Sequence, residues 1–181
     1  ALDIDPERFE LLKTEMLTNW RNFASERPYT QTWNALNVAL NDLQFSPEAL
    51  ADALEKISPT SLKSWRSKTL SKVGVKALLH GNLNEKRSGD LKRSLKKQLN
   101  LAAVQPTRPT ISPVNRPDTK QVDVDHNDSA TVIYVQGNSE TPAEQARFGL
   151  LGQLLRSPYF TALRTEQQLG YVVAAANGRM Y

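Results

Sequence analysis

Two side chains near the end of the sequence have the chemistry to grip a peptide. Within LRTEQQLGYVV, Leu163 to Val173, Arg164 and Tyr171 stand on either side of a glycine. A guanidinium stays protonated throughout the physiological range, and an ordinary phenol keeps its proton at neutral pH. Neither group is suited to act as a base there. Both donate hydrogen bonds, and a polarised carbonyl or its oxyanion needs such donors. A tight helix–glycine–strand corner would bring the two groups to one surface, facing the carbonyls of an extended peptide. Each residue also has a plain structural use. An arginine near a helix C-terminus favours the negative end of the dipole, and a tyrosine at a strand start packs as a half-buried aromatic.

The other reactive side chains point to less. There is no cysteine, so disulfides, thiolate chemistry and cysteine-ligated zinc are excluded. His80 and His126 stand far apart, and neither has a second histidine at helical spacing, so no local zinc motif exists. Asp123, Asp125, His126 and Asp128 are metal-ligand types, but alternating acids on a half-exposed strand followed by the turn residues Asn127-Asp128-Ser129 account for them. Lys92, Arg93, Lys96 and Lys97 surround Leu91, Leu95 and Leu99, which recur every fourth residue as an amphipathic basic helix. Such a helix is compatible with nucleic acid or an acidic membrane. No aromatic residue is interleaved with the charges, and the leucines suffice for ordinary packing, so no nucleic-acid partner is expected.

The elements that must position these residues announce themselves by their caps. A small polar residue followed by proline opens a helix at Asp5-Pro6, Ser46-Pro47 and Ser58-Pro59, because the N–H that proline lacks would be unpaired there. Phe9, Leu12, Met16, Trp20 and Phe23 mark one face of the first helix. Trp33, Leu36, Leu40 and Leu43 mark one face of the helix in YTQTWNALNVALNDL. Val73 to Leu79, ended by Gly81-Asn82, reads as a buried strand. QPTRPTISPVNRPDTK carries four prolines and reads as a linker or an extended crossing segment. Beyond it, Val122 and Val124 alternate with aspartates, and Thr131 to Val135 is a β-branched run, giving two further strands. Thr141-Pro142 with Glu144 forms a capping box, Ser157-Pro158 opens another helix, Gly170 supplies its left-handed stop, and YVVAAA is a last strand.

These elements predict an α+β chain: a mostly helical part over 1–105, a proline-rich linker over 106–120, and a strand-strand-helix-helix-strand unit over 121–181. The composition, 39% hydrophobic and 23% charged, is that of a soluble globular protein, and the net charge of +4 is mild. No apolar run approaches the roughly 20 residues of a membrane span, so no membrane insertion is expected, and no secretory signal pattern opens the chain.

The LRTEQQLGYVV segment, preceded by SPYF, resembles the start of the fourth repeat in the insulinase and pitrilysin (M16) family of zinc peptidases. PERFELLKTEMLTNWRNF, ERPYTQTWNAL and VKALLHGNL are similar to the family's third-repeat helices and the strand after them, so the resemblance covers essentially the whole chain. It implies the two-layer α/β repeat of the processing-peptidase-like metallohydrolase fold, here incomplete: the later part of repeat three and the first part of repeat four. It further implies a clamshell metalloendopeptidase that degrades peptides such as insulin-like substrates. In that enzyme one half holds the zinc and this half closes over the substrate. Arg164 and Tyr171 match the family's substrate-binding pair. The family's H-x-x-E-H motif is absent, so the resemblance implies zinc in the complete enzyme, none bound here, and no hydrolysis by this chain alone. The expected partners are a peptide substrate and the N-terminal half of the same polypeptide, with self-association through uncovered apolar faces. A fragment of a zinc-less relative, acting as a peptide-binding or partner subunit, is the alternative. The bacterial branch with this motif suggests a periplasmic location.

Overall fold

A computed structural model describes residues 4–99, 101–102 and 107–178. Pro106, the expected first residue of the linker, and Tyr181 lie outside the described residues, as do residues 1–3, 100, 103–105 and 179–180.

Capping chemistry sets the helix starts. α1 (Pro6–Arg21) begins where Asp5 accepts the Glu7 N–H at 3.0 Å. α2 (Pro28–Leu40) opens on proline without a side-chain cap. α3 (Pro47–Glu55) starts at Ser46, which accepts the Ala49 N–H. α4 (Pro59–Thr69) has a capping box in which Ser58 and Ser61 each accept the other's backbone N–H, at 3.1 and 2.9 Å. α5 (Glu85–Gln98) is capped by Asn84, a turn earlier than the leucine repeat alone indicates. α6 (Pro142–Phe160) is capped by Thr141, which accepts the Glu144 N–H. The Glu144 carboxylate does not close the box; it accepts a hydrogen bond from Arg147 Nη1 at 3.2 Å instead.

Tertiary contact concentrates between α1 and α3. Lys13 on α1 reaches the end of α3 and donates to the Glu55 and Ile57 carbonyls at 2.9 and 2.7 Å, a cation placed on the negative end of a helix dipole. Arg21 pairs with Glu55 beside it. At the entry to α2, Gln31 is buried and donates to the Ala24 and Glu26 carbonyls, fixing the turn between α1 and α2. The proline-containing segment after residue 107 is docked onto the end of α2. Thr110 N–H donates to Asp42 Oδ1 at 2.7 Å, Ser112 N–H donates to the Leu40 carbonyl at 2.7 Å, and Asn41 and Ile111 form an antiparallel bridge.

The α+β expectation is overturned: among the described residues the chain is helical and irregular, with no strand and no sheet. Val73 to Leu79, Val122 to Val124, Thr131 to Val135 and Tyr171 to Ala176 take no strand conformation. Among the described residues only two isolated bridges occur, Asn41 with Ile111 and Val73 with Leu101. The physical reason is pairing. Alternating and β-branched residues favour an extended, half-buried backbone, but a strand exists only where a neighbouring backbone takes its N–H and C=O groups. Two of these runs lie beside helix side chains instead. Val75, Ala77 and Leu79 line a cleft against Ser88, Lys92 and Leu95 of α5. Val173 to Asn177 lie along Gly152, Arg156 and Phe160 of α6.

The helical faces read from the sequence are formed but largely uncovered. Leu40 and Ala51 are buried, while Leu12, Met16, Trp33 and Trp65 are exposed. The accessible surface is 15508 Å², against roughly 8,800 Å² for a compact monomer of this mass.

Candidate functional site

The corner that carries Arg164 and Tyr171 is built from the end of α6. Pro158 does not begin a new helix; it lies inside α6, which runs on to Phe160. Proline lacks an N–H and crowds the carbonyl four residues back, so an interior proline loosens the turn around it. Directly after Phe160 the helix widens into a π-helical segment, Thr161–Glu166, which ends as the Gln167 N–H donates to the Ala162 carbonyl at 3.0 Å. Single turns of this kind are frequent where a helix carries a functional group.

The chain then reverses at Gln168, whose φ is 51°. The expectation that Gly170 supplies the left-handed stop is corrected: its φ is not in that region, and a Cβ added to it would meet nothing within 4 Å. The reversal is closed by the Leu169 N–H donating to the Leu163 carbonyl at 3.0 Å.

This reversal brings the two sequence-predicted residues into contact. Arg164 Nη1 donates to the backbone carbonyl of Tyr171 at 2.5 Å. The guanidinium carbon lies 4.3 Å from the centroid of the Tyr171 ring and 5.3 Å from that of Phe160. Both distances are within the range of cation–π attraction. Arg164 is therefore in contact range of two rings, partly covered, with one nitrogen engaged. Among the described residues its other N–H groups have no hydrogen-bond partner. The Tyr171 side chain is 81% exposed, and its hydroxyl makes no hydrogen bond among the described residues. The arrangement offers an oriented fork of charged donors and a phenolic donor on one open corner. It supplies hydrogen bonds to a carbonyl or carboxylate, and no group positioned as a nucleophile or a base.

The sequence marks Phe160 as a buried residue of its helix, with no part in the site, and it gives no sign of Gln168; Phe160 is instead 43% exposed. Phe160 stands four residues before Arg164, a spacing that shares a helix face, so its signal was present. Gln168 had none, because glutamine is not among the residues that favour the left-handed region.

The metal-ligand types do not converge. His126 Nδ1 accepts the Asp128 N–H at 2.9 Å, which closes a turn. Among the described residues no group of three His, Cys, Asp or Glu side chains has the placement to hold a metal ion, so the described residues do not fit a zinc site. On α5, Lys92 and Lys96 line a cleft together with Leu95, and Arg93 pairs with Asp90 one turn before it. No helix is long and apolar enough to cross a membrane, among the described residues.

Residues 56–181, well over half of the chain, match the family profile described as Peptidase M16 inactive domain. Insulin-degrading enzyme of Homo sapiens is 28% identical over 96% of this chain, which covers 18% of that protein. A-factor-processing enzyme of Saccharomyces cerevisiae is 26% identical over 94% of the chain and 18% of its own length. A nardilysin-like protein of Arabidopsis thaliana is 26% identical over 92% of the chain and 17% of its own length. The chain spans less than a fifth of the length of these curated relatives. All three organisms are eukaryotes, so the periplasmic location suggested by the bacterial branch of the resemblance is overturned.

Proposed function

The chain belongs to the M16 peptidase family, and on that footing we propose that it is a substrate-binding part of the C-terminal half of a zinc metalloendopeptidase. Its relatives include an insulin-degrading enzyme, so the substrates proposed are unstructured peptides of that kind. In this reading the chain binds peptide backbone and helps close the chamber, while the metal and its ligands belong to another part of the same polypeptide. The chain carries no H-x-x-E-H motif, and its described residues do not fit zinc, so no catalytic step is assigned to them. Its other proposed partner is the N-terminal half of the complete enzyme.

The observation that carries this reading is the Arg164–Tyr171 contact. A guanidinium with donors to spare is fixed beside an exposed phenol on an open corner. Within such a pair the arginine stays charged through the whole reaction, so it stabilises bound carbonyls and the developing oxyanion without moving a proton. The pair's match to the family's substrate-binding positions supports the same role. The test is steady-state kinetics of the full-length protein. Arg164→Ala or Tyr171→Phe lowers kcat/KM for an unstructured peptide by about one to three orders of magnitude, with zinc content unchanged. Full activity in both variants would leave the pair a structural cap.

A further inference from the structure

We propose that Phe160 is a positioning residue for the substrate-binding arginine: its ring holds the Arg164 guanidinium against Tyr171 and leaves the free N–H groups facing outward. This rests on the peptide-binding role assigned above to Arg164.

An arginine side chain has four rotatable bonds, and holding it in one geometry costs conformational entropy that is otherwise charged to each binding event. Three contacts prevent that here. The Tyr171 carbonyl takes one nitrogen at 2.5 Å, the Tyr171 ring lies 4.3 Å from the guanidinium carbon, and the Phe160 ring lies 5.3 Å from it. The two Tyr171 contacts come from a single residue beyond the chain reversal, and they locate the guanidinium only on that side. Phe160 adds a third contact from within the helix, four residues before Arg164, where side chains share a face. It is the last residue of α6 before the backbone widens, so its own position is set by regular helix while Arg164 sits in the looser turn. The ring also lines a cleft together with Val173 to Asn177. Phe160 therefore ties the arginine, the widened turn and the segment after Tyr171 into one arrangement. A residue of this kind needs no contact with the peptide to affect its binding.

The test is a double-mutant cycle in the full-length protein, read as kcat/KM for an unstructured peptide. Phe160→Leu, which keeps the apolar bulk and removes the ring, lowers kcat/KM about fivefold, the scale of one such ring–cation contact. Phe160→Tyr, which keeps the ring, restores it. In an Arg164→Ala background, Phe160→Leu causes no further loss, because the group it positions is gone. The proposal is overturned if Phe160→Leu is without effect, if Phe160→Tyr fails to restore activity, or if the loss is the same in the Arg164→Ala background. That last result would mean Phe160 acts on substrate or fold by itself. Failure of the underlying role shows separately, as full activity of Arg164→Ala alone, and it overturns the positioning role as well.

Discussion

A methyl group at Gly170 would have open space around it, and the backbone there is not left-handed, whereas Gln168 holds φ at 51° with a full side chain. The conformational cost of the corner therefore sits two residues before the glycine that the sequence points to. A non-glycine residue in the left-handed region costs about 1–2 kcal/mol, part of which glycine returns as lost chain entropy. Gln168→Gly is expected to stabilise the chain by about 0.5–1 kcal/mol in denaturant unfolding. Gly170→Ala is expected to change stability by less than about 0.5 kcal/mol. A Gly170→Ala loss larger than the Gln168→Gly gain would restore the glycine as the required turn residue. Arg164 and Tyr171 were legible as a pair because both are donors bracketing a helix stop. Their actual mode of contact, a guanidinium stacked on the ring and bonded to the tyrosine's carbonyl, depends on where the chain reverses, and that is not written in side-chain chemistry alone.

Among the elements, α6 and the extended segments beside it depend on small residues at close approaches. A Cβ at Gly137 would fall 2.7 Å from Cε2 of Phe148, an α6 ring that has no flexible end to move away. Gly149 lies inside α6 with nothing within 4 Å of an added Cβ. Gly149→Ala is therefore expected to stabilise by about 0.5–1 kcal/mol, the ordinary helix-propensity gain. Gly137→Ala should destabilise by about 1–3 kcal/mol through the steric clash. Thermal unfolding of the two variants side by side checks the opposite signs, and equal signs would contradict the close approach of Gly137 to α6. The helix starts were readable because a cap is local: Asp5, Ser46, Ser58 and Thr141 each satisfy an N–H within three residues of themselves. Pro158 misled, since the same Ser-Pro pair that opens α4 lies within α6. The strands were not readable, because pairing is settled by a neighbouring backbone. Val75, Ala77 and Leu79, and Val173 to Ala176, find helix side chains beside them instead.

At the scale of the whole molecule, an accessible surface of 15508 Å² leaves the amphipathic faces of α1, α2 and α4 with exposed Leu12, Met16, Trp33 and Trp65. Apolar area of this extent favours association in water. The isolated chain is expected to bind a hydrophobic dye and to self-associate, read as a sedimentation coefficient that rises with concentration; a strict monomer without dye binding would contradict this. In the complete enzyme the same faces are proposed to meet the rest of the polypeptide, and the corner of Arg164 and Tyr171 the peptide. The most direct measurement of that claim separates binding from chemistry: the equilibrium affinity of the full-length protein, stripped of zinc by a chelator, for an unstructured peptide. Loss of a charge-assisted hydrogen bond is worth about 1.5–3 kcal/mol. Arg164→Ala should therefore weaken binding by about 10- to 100-fold, with the fold unchanged by circular dichroism. An affinity equal to that of the unmodified protein would contradict the account and leave Arg164 as the cap of its own helix.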